Sequence, residues 1–147
     1  NAVATAAVLV AIIAIFGTIS ADFNPAVTIG AWLLGHRAGR DVAPLIVVQV
    51  IGAVAGTVLA NLMFDLDAVT LSTTSRSGGH LWLSEVVATV GLLLVIQGCV
   101  RSGRANAVPF AVGAWIAGAY WFTSSTSFAN PAVTVARTLS DTFAHGQ

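Results

Sequence analysis

At 147 residues, 56% hydrophobic and only 8% charged, with a mean hydropathy of +0.88, the chain is not composed like a soluble domain, where about a quarter of residues carry charge. Its 6 basic residues, all arginine, balance 6 acids, which argues against a nucleic-acid or polyanion partner. Cys99 is the only cysteine; an intrachain disulfide is impossible, and a small core residue is the expected role, ahead of a ligand for a soft metalloid.

Ala2 to Gly17 is almost wholly apolar yet a little short of the roughly 20 residues needed to span a bilayer. No basic region with a cleavage site precedes it, so it does not read as a signal peptide; it reads as a membrane helix clipped at its front. Thr18 to Phe23 descends through small and polar residues into a short helix expected from Asn24 to about Leu34. Gly35 to Asp41 is a charged turn, and Val42 to Phe64 is a full span. Its Gly52 and Gly56 form a stripe expected to admit a close helix neighbour. Asp65 to His80 is a polar surface loop, with Ser, Thr and Gly gathered at Ser72 to Gly79. Leu81 to Val100 is the next span, Arg101 to Arg104 a tight basic turn, and Ala107 to Phe122 a further span. Thr123 to Ser127 then leads into a second short helix, Asn130 to Leu139, and the tail Asp141 to Gln147 stops where another span would begin. One domain over 1–147 is expected, its halves covering 1–64 and 81–140.

Arginine placement sets the orientation. Arg37, Arg40, Arg101 and Arg104 lie before and after the pair of long spans, while Arg76 alone lies in the loop between them. With two spans between them the basic turns share a side, which the positive-inside rule makes cytoplasmic. The long loop and the second short helix then belong outside.

The chain is organised around a repeated pentapeptide. Asn24-Pro25-Ala26-Val27-Thr28 recurs as Asn130-Pro131-Ala132-Val133-Thr134. Asn is a strong N-cap, and Pro suits the first helical position, where no N–H partner is lost. A capped helix start inside membrane sequence is tolerated only where it is buried in protein or faces a wet cavity. Two such starts, in corresponding places of two hydrophobic halves, are the pattern of an inverted-repeat membrane protein.

The doubled Asn-Pro-Ala resembles the aquaporin and glycerol-facilitator family, the major intrinsic proteins, over nearly the whole chain. The resemblance implies an all-α membrane fold with six spans and two re-entrant half-helices meeting at the bilayer centre. About four full spans are present here, so the match is truncated at both ends. It also implies a passive channel for small uncharged solutes, with Asn24 and Asn130 offering side-chain N–H donors while Pro25, Ala26, Pro131 and Ala132 shape and pack the two tips. Opposed helix N-termini, each about half a positive charge, would repel cations and protons.

The family's second determinant, an aromatic/arginine ring, carries over to Thr5, Gly118, Ser127 and Val133. Val133 replaces the usual Arg and Gly118 the His of water-selective members. The ring is expected to be wide, with no fixed cation. Val133 and the stretch Val135 to Phe143 resemble the bacterial aquaglyceroporins encoded with arsenic-resistance genes, which implies glycerol-sized polyols and metalloid hydroxides such as arsenite as solutes besides water. A water-selective channel and a non-conducting structural homologue are the alternatives. The family further implies a homotetramer, multi-pass in the bacterial inner membrane.

Asp22 stands where the family usually has His, at the cytoplasmic mouth. Arg137, four residues after Val133, shares its helical face and is expected either to place positive charge at the outer mouth or to pair with Asp141. Glu85 is costly inside a span unless hydrogen-bonded and, by resemblance, braces the Phe128-to-Asn130 approach. Asn61, Gln97 and Asn106 lie near span ends and call for no special role. His36, His80 and His145 fall in separate turns, so no metal site is expected, nor any cofactor. No Ser/His/Asp or paired-acid constellation converges in the spans, and Ser84 with Glu85 does not make one, so no enzyme is expected.

Overall fold

The computed structural model describes residues 1–141; Phe143, His145 and Gln147, named above, lie outside the described residues. The described chain is helical, without strands: α1 (Ala2–Phe16), α2 (Pro25–Leu33), α3 (Gly39–Met63), α4 (Gly79–Arg101), α5 (Val108–Phe122) and α6 (Pro131–Ala136), with single 3-10 turns at Ala105–Ala107 and Arg137–Leu139. Of the four spans expected, α3 with 25 residues and α4 with 23 are long and apolar enough to cross a bilayer. The other two, α1 and α5, have 15 residues each, about 22 Å at 1.5 Å per residue against a hydrocarbon core of ~30 Å. For α5 the reason is local: the 3-10 turn and Pro109 open it late, and Thr123 turns extended at its end.

Helix ends follow from one device used three times. At the end of α2, Gly35 takes φ 76° and its N–H bonds Trp32 O, while His36 N–H reaches Ala31 O. That pair of bonds is a Schellman motif. Gly103 (φ 71°) closes α4 the same way, with Arg104 N–H on Cys99 O. Asp65 (φ 58°) closes α3, with Leu66 N–H on Asn61 O. The turn after α2 is shorter than expected, because Gly39 to Asp41 already belong to α3.

The chain forms two compact units, each drawing on both halves of the sequence. The first combines Asn1–Ala21 with Arg76–Ala129, so α5 packs on both α1 and α4. Two glycines make those approaches possible. A Cβ on Gly113 would lie 2.5 Å from Val10 Cγ2 and 3.1 Å from Ala6 O, and one on Gly91 would lie 1.9 Å from Trp115 Cζ2. Trp115 fills the space over Gly91, donates from Nε1 to Ala88 O at 2.9 Å, and meets Phe122 edge-on. The stripe read in the sequence meets no neighbour among the described residues: none of them lies within 4 Å of a Cβ on Gly52 or Gly56, and both glycines sit on exposed faces of α3.

The second unit combines Asp22–Ser75 with the described chain from Asn130 to Asp141. Here α3 carries both short helices, α2 and α6, which also touch each other. The outward face of α3 leaves Val47, Val48, Ile51 and Leu59 exposed, an apolar surface suited to lipid rather than water.

Candidate functional site

The two short helices begin alike. Asn24 and Asn130 both adopt extended backbone, with φ −150° and −153°, the conformation a capping residue needs. Asn24 Oδ1 accepts from Ala26 N at 2.9 Å, and Asn130 Oδ1 accepts from Ala132 N at 3.1 Å and Val133 N at 3.4 Å. Pro25 and Pro131 occupy the first helical positions. Thr28 Oγ1 donates back to Asn24 O at 3.3 Å, and Thr134 Oγ1 to Asn130 O at 3.1 Å. Asn130 Nδ2 donates to Phe23 O at 3.0 Å. Because Phe23 precedes the other cap, this bond sets the two helix starts side by side within one unit. Ala26 and Ala132 keep the tips slim, and Ala132 is buried.

The approach to α2 is fixed by charge and by an amide from α3. Asp22 Oδ2 pairs with Arg37 Nη2, and Gln49 Nε2 donates both to Asp22 O and, at 2.8 Å, to Thr28 Oγ1. Gln49 escaped the sequence reading, although a lone amide in the middle of an apolar span is itself a signal.

The approach to α6 lies in the first unit and is more strained. Thr126, Ser127 and Ala129 all take positive φ, at 57°, 48° and 45°, a region that L-residues with a side chain enter at a cost, β-branched Thr above all. The surroundings over-determine it. Glu85 Oε1 accepts from Phe128 N at 3.0 Å and Oε2 from Ala129 N at 2.7 Å. Ser125 Oγ accepts from Ser127 N, and Thr126 Oγ1 donates to Ser125 O. Ser84 and Ser124 share a hydroxyl contact of 2.8 Å beside them.

Of the four ring positions, Thr5, Gly118 and Ser127 belong to the first unit and Val133 to the second. Thr5 Oγ1 lies 3.2 Å from the Tyr120 hydroxyl. Gly118 faces Phe122, with Cε1 3.7 Å from where a Cβ would stand. Ser127 is 2% exposed and its hydroxyl has no protein partner among the described residues. Val133 is half-buried on α6. Arg137 opens the 3-10 turn after α6, and Asp141 accepts from Thr73 N at 2.9 Å and from Thr73 Oγ1. Cys99 is half-buried near the end of α4.

Asn61 requires a correction. The sequence assigned it no special role, but it is 1% exposed, and its Nδ2 donates to Ala68 O at 3.2 Å and Leu139 O at 3.1 Å. Thr70 N–H joins the same Leu139 carbonyl, and Ser72 N–H bonds Thr138 O. The loop after α3 is thereby sewn to the end of the second short helix.

A family model described as Major intrinsic protein matches residues 1–125. The chain belongs to that family. Among curated relatives of this major intrinsic protein, the aquaglyceroporin AqpS of Rhizobium meliloti is 50% identical over 144 residues, 97% of this chain and 61% of the relative. A probable aquaporin AqpM of Archaeoglobus fulgidus is 36% identical over 110 residues, covering 69% of this chain and 45% of the relative. Aquaporin Z of Photorhabdus laumondii is 33% identical over 106 residues, covering 62% and 46%. The chain thus spans about three fifths of the first relative and under half of the other two. No solved structure matches it significantly. Family membership and the two long apolar helices make the fold an all-α, aquaporin-like membrane protein.

Proposed function

We propose that the protein is a passive membrane channel for small uncharged solutes: glycerol-sized polyols, metalloid hydroxides such as arsenite, and water. The observation that carries this reading is the pair of Asn-capped helix starts set side by side by the Asn130–Phe23 bond. Two such starts concentrate positive dipole ends and amide donors at one place. Donors there replace part of a neutral solute's hydration, while the dipoles turn cations and protons away. Nothing is transformed, so the function is transport and not catalysis. The relative named an aquaglyceroporin, at 50% identity, favours solutes larger than water.

In this reading Thr5, Gly118, Ser127 and Val133 form the narrow ring, with Arg137 and Asp22 toward its two mouths and Glu85 bracing the approach to the second tip. The assembly is a homotetramer in a bacterial inner membrane, each subunit with its own passage. The test is swelling of proteoliposomes carrying the full-length protein in a glycerol gradient; a flat trace refutes the channel. Val133→Arg then separates a multi-solute from a water-selective channel. It is expected to cut glycerol and arsenite flux more than water flux, and an equal loss of all three counts against the wide ring.

A further inference from the structure

In the sequence Arg76 is the lone arginine of the polar loop between the two long spans. Its guanidinium instead lies over the Phe128 ring, with Cζ 4.0 Å from the centroid, and its Nη2 donates to the carbonyl of Ser125. Both contacts are to the strained segment that carries Ser127. The carbonyl it meets belongs to a residue 1% exposed and already accepts the Thr126 hydroxyl, so both lone pairs are taken. Arg76 itself is exposed, and no carboxylate among the described residues pairs with it. Its charge is therefore anchored by one hydrogen bond and one ring face, while the rest of the guanidinium stays in water and unneutralised.

We propose that Arg76 is a specificity-determining residue: the fixed cation of the outer mouth, held on the segment that carries Ser127 by the Ser125 carbonyl and the Phe128 ring. The inference rests on the channel reading above. A cation inside a ring narrows it as well as charging it. A cation on the rim charges the entrance and leaves the bore wide. Small oxyanions are then gathered at the mouth and inorganic cations turned away, while neutral polyols pass unhindered. At low ionic strength a unit charge ~8 Å from a reporter in a water-filled mouth changes the local concentration of a monovalent ion by about 2.4-fold. The ratio of anion to cation therefore changes by about sixfold.

The experiment uses the full-length protein with Cys99→Ala and a reporter cysteine, Ser124→Cys, at an exposed position next to the Ser125 carbonyl. Modification rates are measured with an anionic and a cationic methanethiosulfonate reagent. Arg76→Gln keeps a hydrogen-bond donor but not the charge, and Arg76→Lys keeps the charge but not the planar stack. Glycerol swelling of each variant reports folding and conduction. The expected result, at low ionic strength, is that Arg76→Gln lowers the anion-to-cation rate ratio about sixfold, that Arg76→Lys restores most of it, and that 1 M salt abolishes the difference, with glycerol flux within twofold throughout. A ratio unmoved by Arg76→Gln, or equally low in Arg76→Lys, overturns the assignment while swelling keeps the channel intact. A parent protein that does not swell in glycerol overturns the channel reading and this assignment with it. Should Arg76→Gln alone lose glycerol flux, the Lys variant decides: a ratio near the parent's supports the charge, and a low one overturns it.

Discussion

Glu85 is the most exposed point of the design to a single substitution. Its two carboxylate oxygens accept separate backbone N–H groups, from Phe128 and Ala129, and Ala129 is 1% exposed with φ 45°. Glu85→Ala leaves both donors without their partner, at about 1–3 kcal/mol each, and removes the restraint on the left-handed Ala129. A total near 4 kcal/mol is expected. Glu85→Gln offers one acceptor oxygen and turns an NH2 toward the other donor; neutral hydrogen bonds are about half as strong as charge-assisted ones, so roughly 2 kcal/mol is expected. The assay is reversible SDS titration of the protein in mixed micelles, read by tryptophan fluorescence, with hydrogen exchange at the Phe128 and Ala129 amides as the local readout. The ordering wild type, Gln, Ala should appear in both. An alanine variant within about 0.5 kcal/mol of wild type, with both amides still protected, would refute the bracing argument.

Other substitutions probe the remaining contacts. Gly91→Ala places a methyl 1.9 Å from Trp115 Cζ2, so it should cost about 1–3 kcal/mol by overpacking in the same titration, and Trp115→Phe in that background should recover part of it. Asp22→Asn and Arg37→Gln, singly and together, should give a double-mutant coupling of about 1 kcal/mol, because both side chains are mostly buried at 15% and 28% exposure; additive effects would show that the pair contributes nothing. Asn61→Ala removes two donations from a buried amide and should cost about 2–3 kcal/mol, with faster hydrogen exchange at Thr70, whose partner Leu139 is then less firmly held.

What the sequence made legible was local chemistry with a fixed span: a cap, a proline and a small residue in one pentapeptide, written twice. That was enough to place both short helices to within a few residues. Side chains whose role depends on what folds back against them were not legible. Asn61 and Gln49 look like ordinary amides until Leu139 and Thr28 arrive beside them. Gly52 and Gly56 have the right spacing for a close approach, but Gly91 and Gly113 have the neighbours. Spacing along one helix states what could pack, and only a second helix decides what does. The positive φ values from Thr126 to Ala129 were equally hidden. Nothing in Ser-Thr-Ser-Phe-Ala announces that backbone; it is held by bonds within the segment and by Glu85, distant in sequence, on the Phe128 and Ala129 amides.

A helix of six residues, like α6, has no business existing by itself, since a lone helix needs a dozen or more residues to hold in water. It persists as a peg gripped at either end, by Phe23 at its head and by Asn61, Thr70 and Ser72 at its foot. Swinging this peg would first break those bonds, so α6 is expected to hold its place while the side chains around it turn.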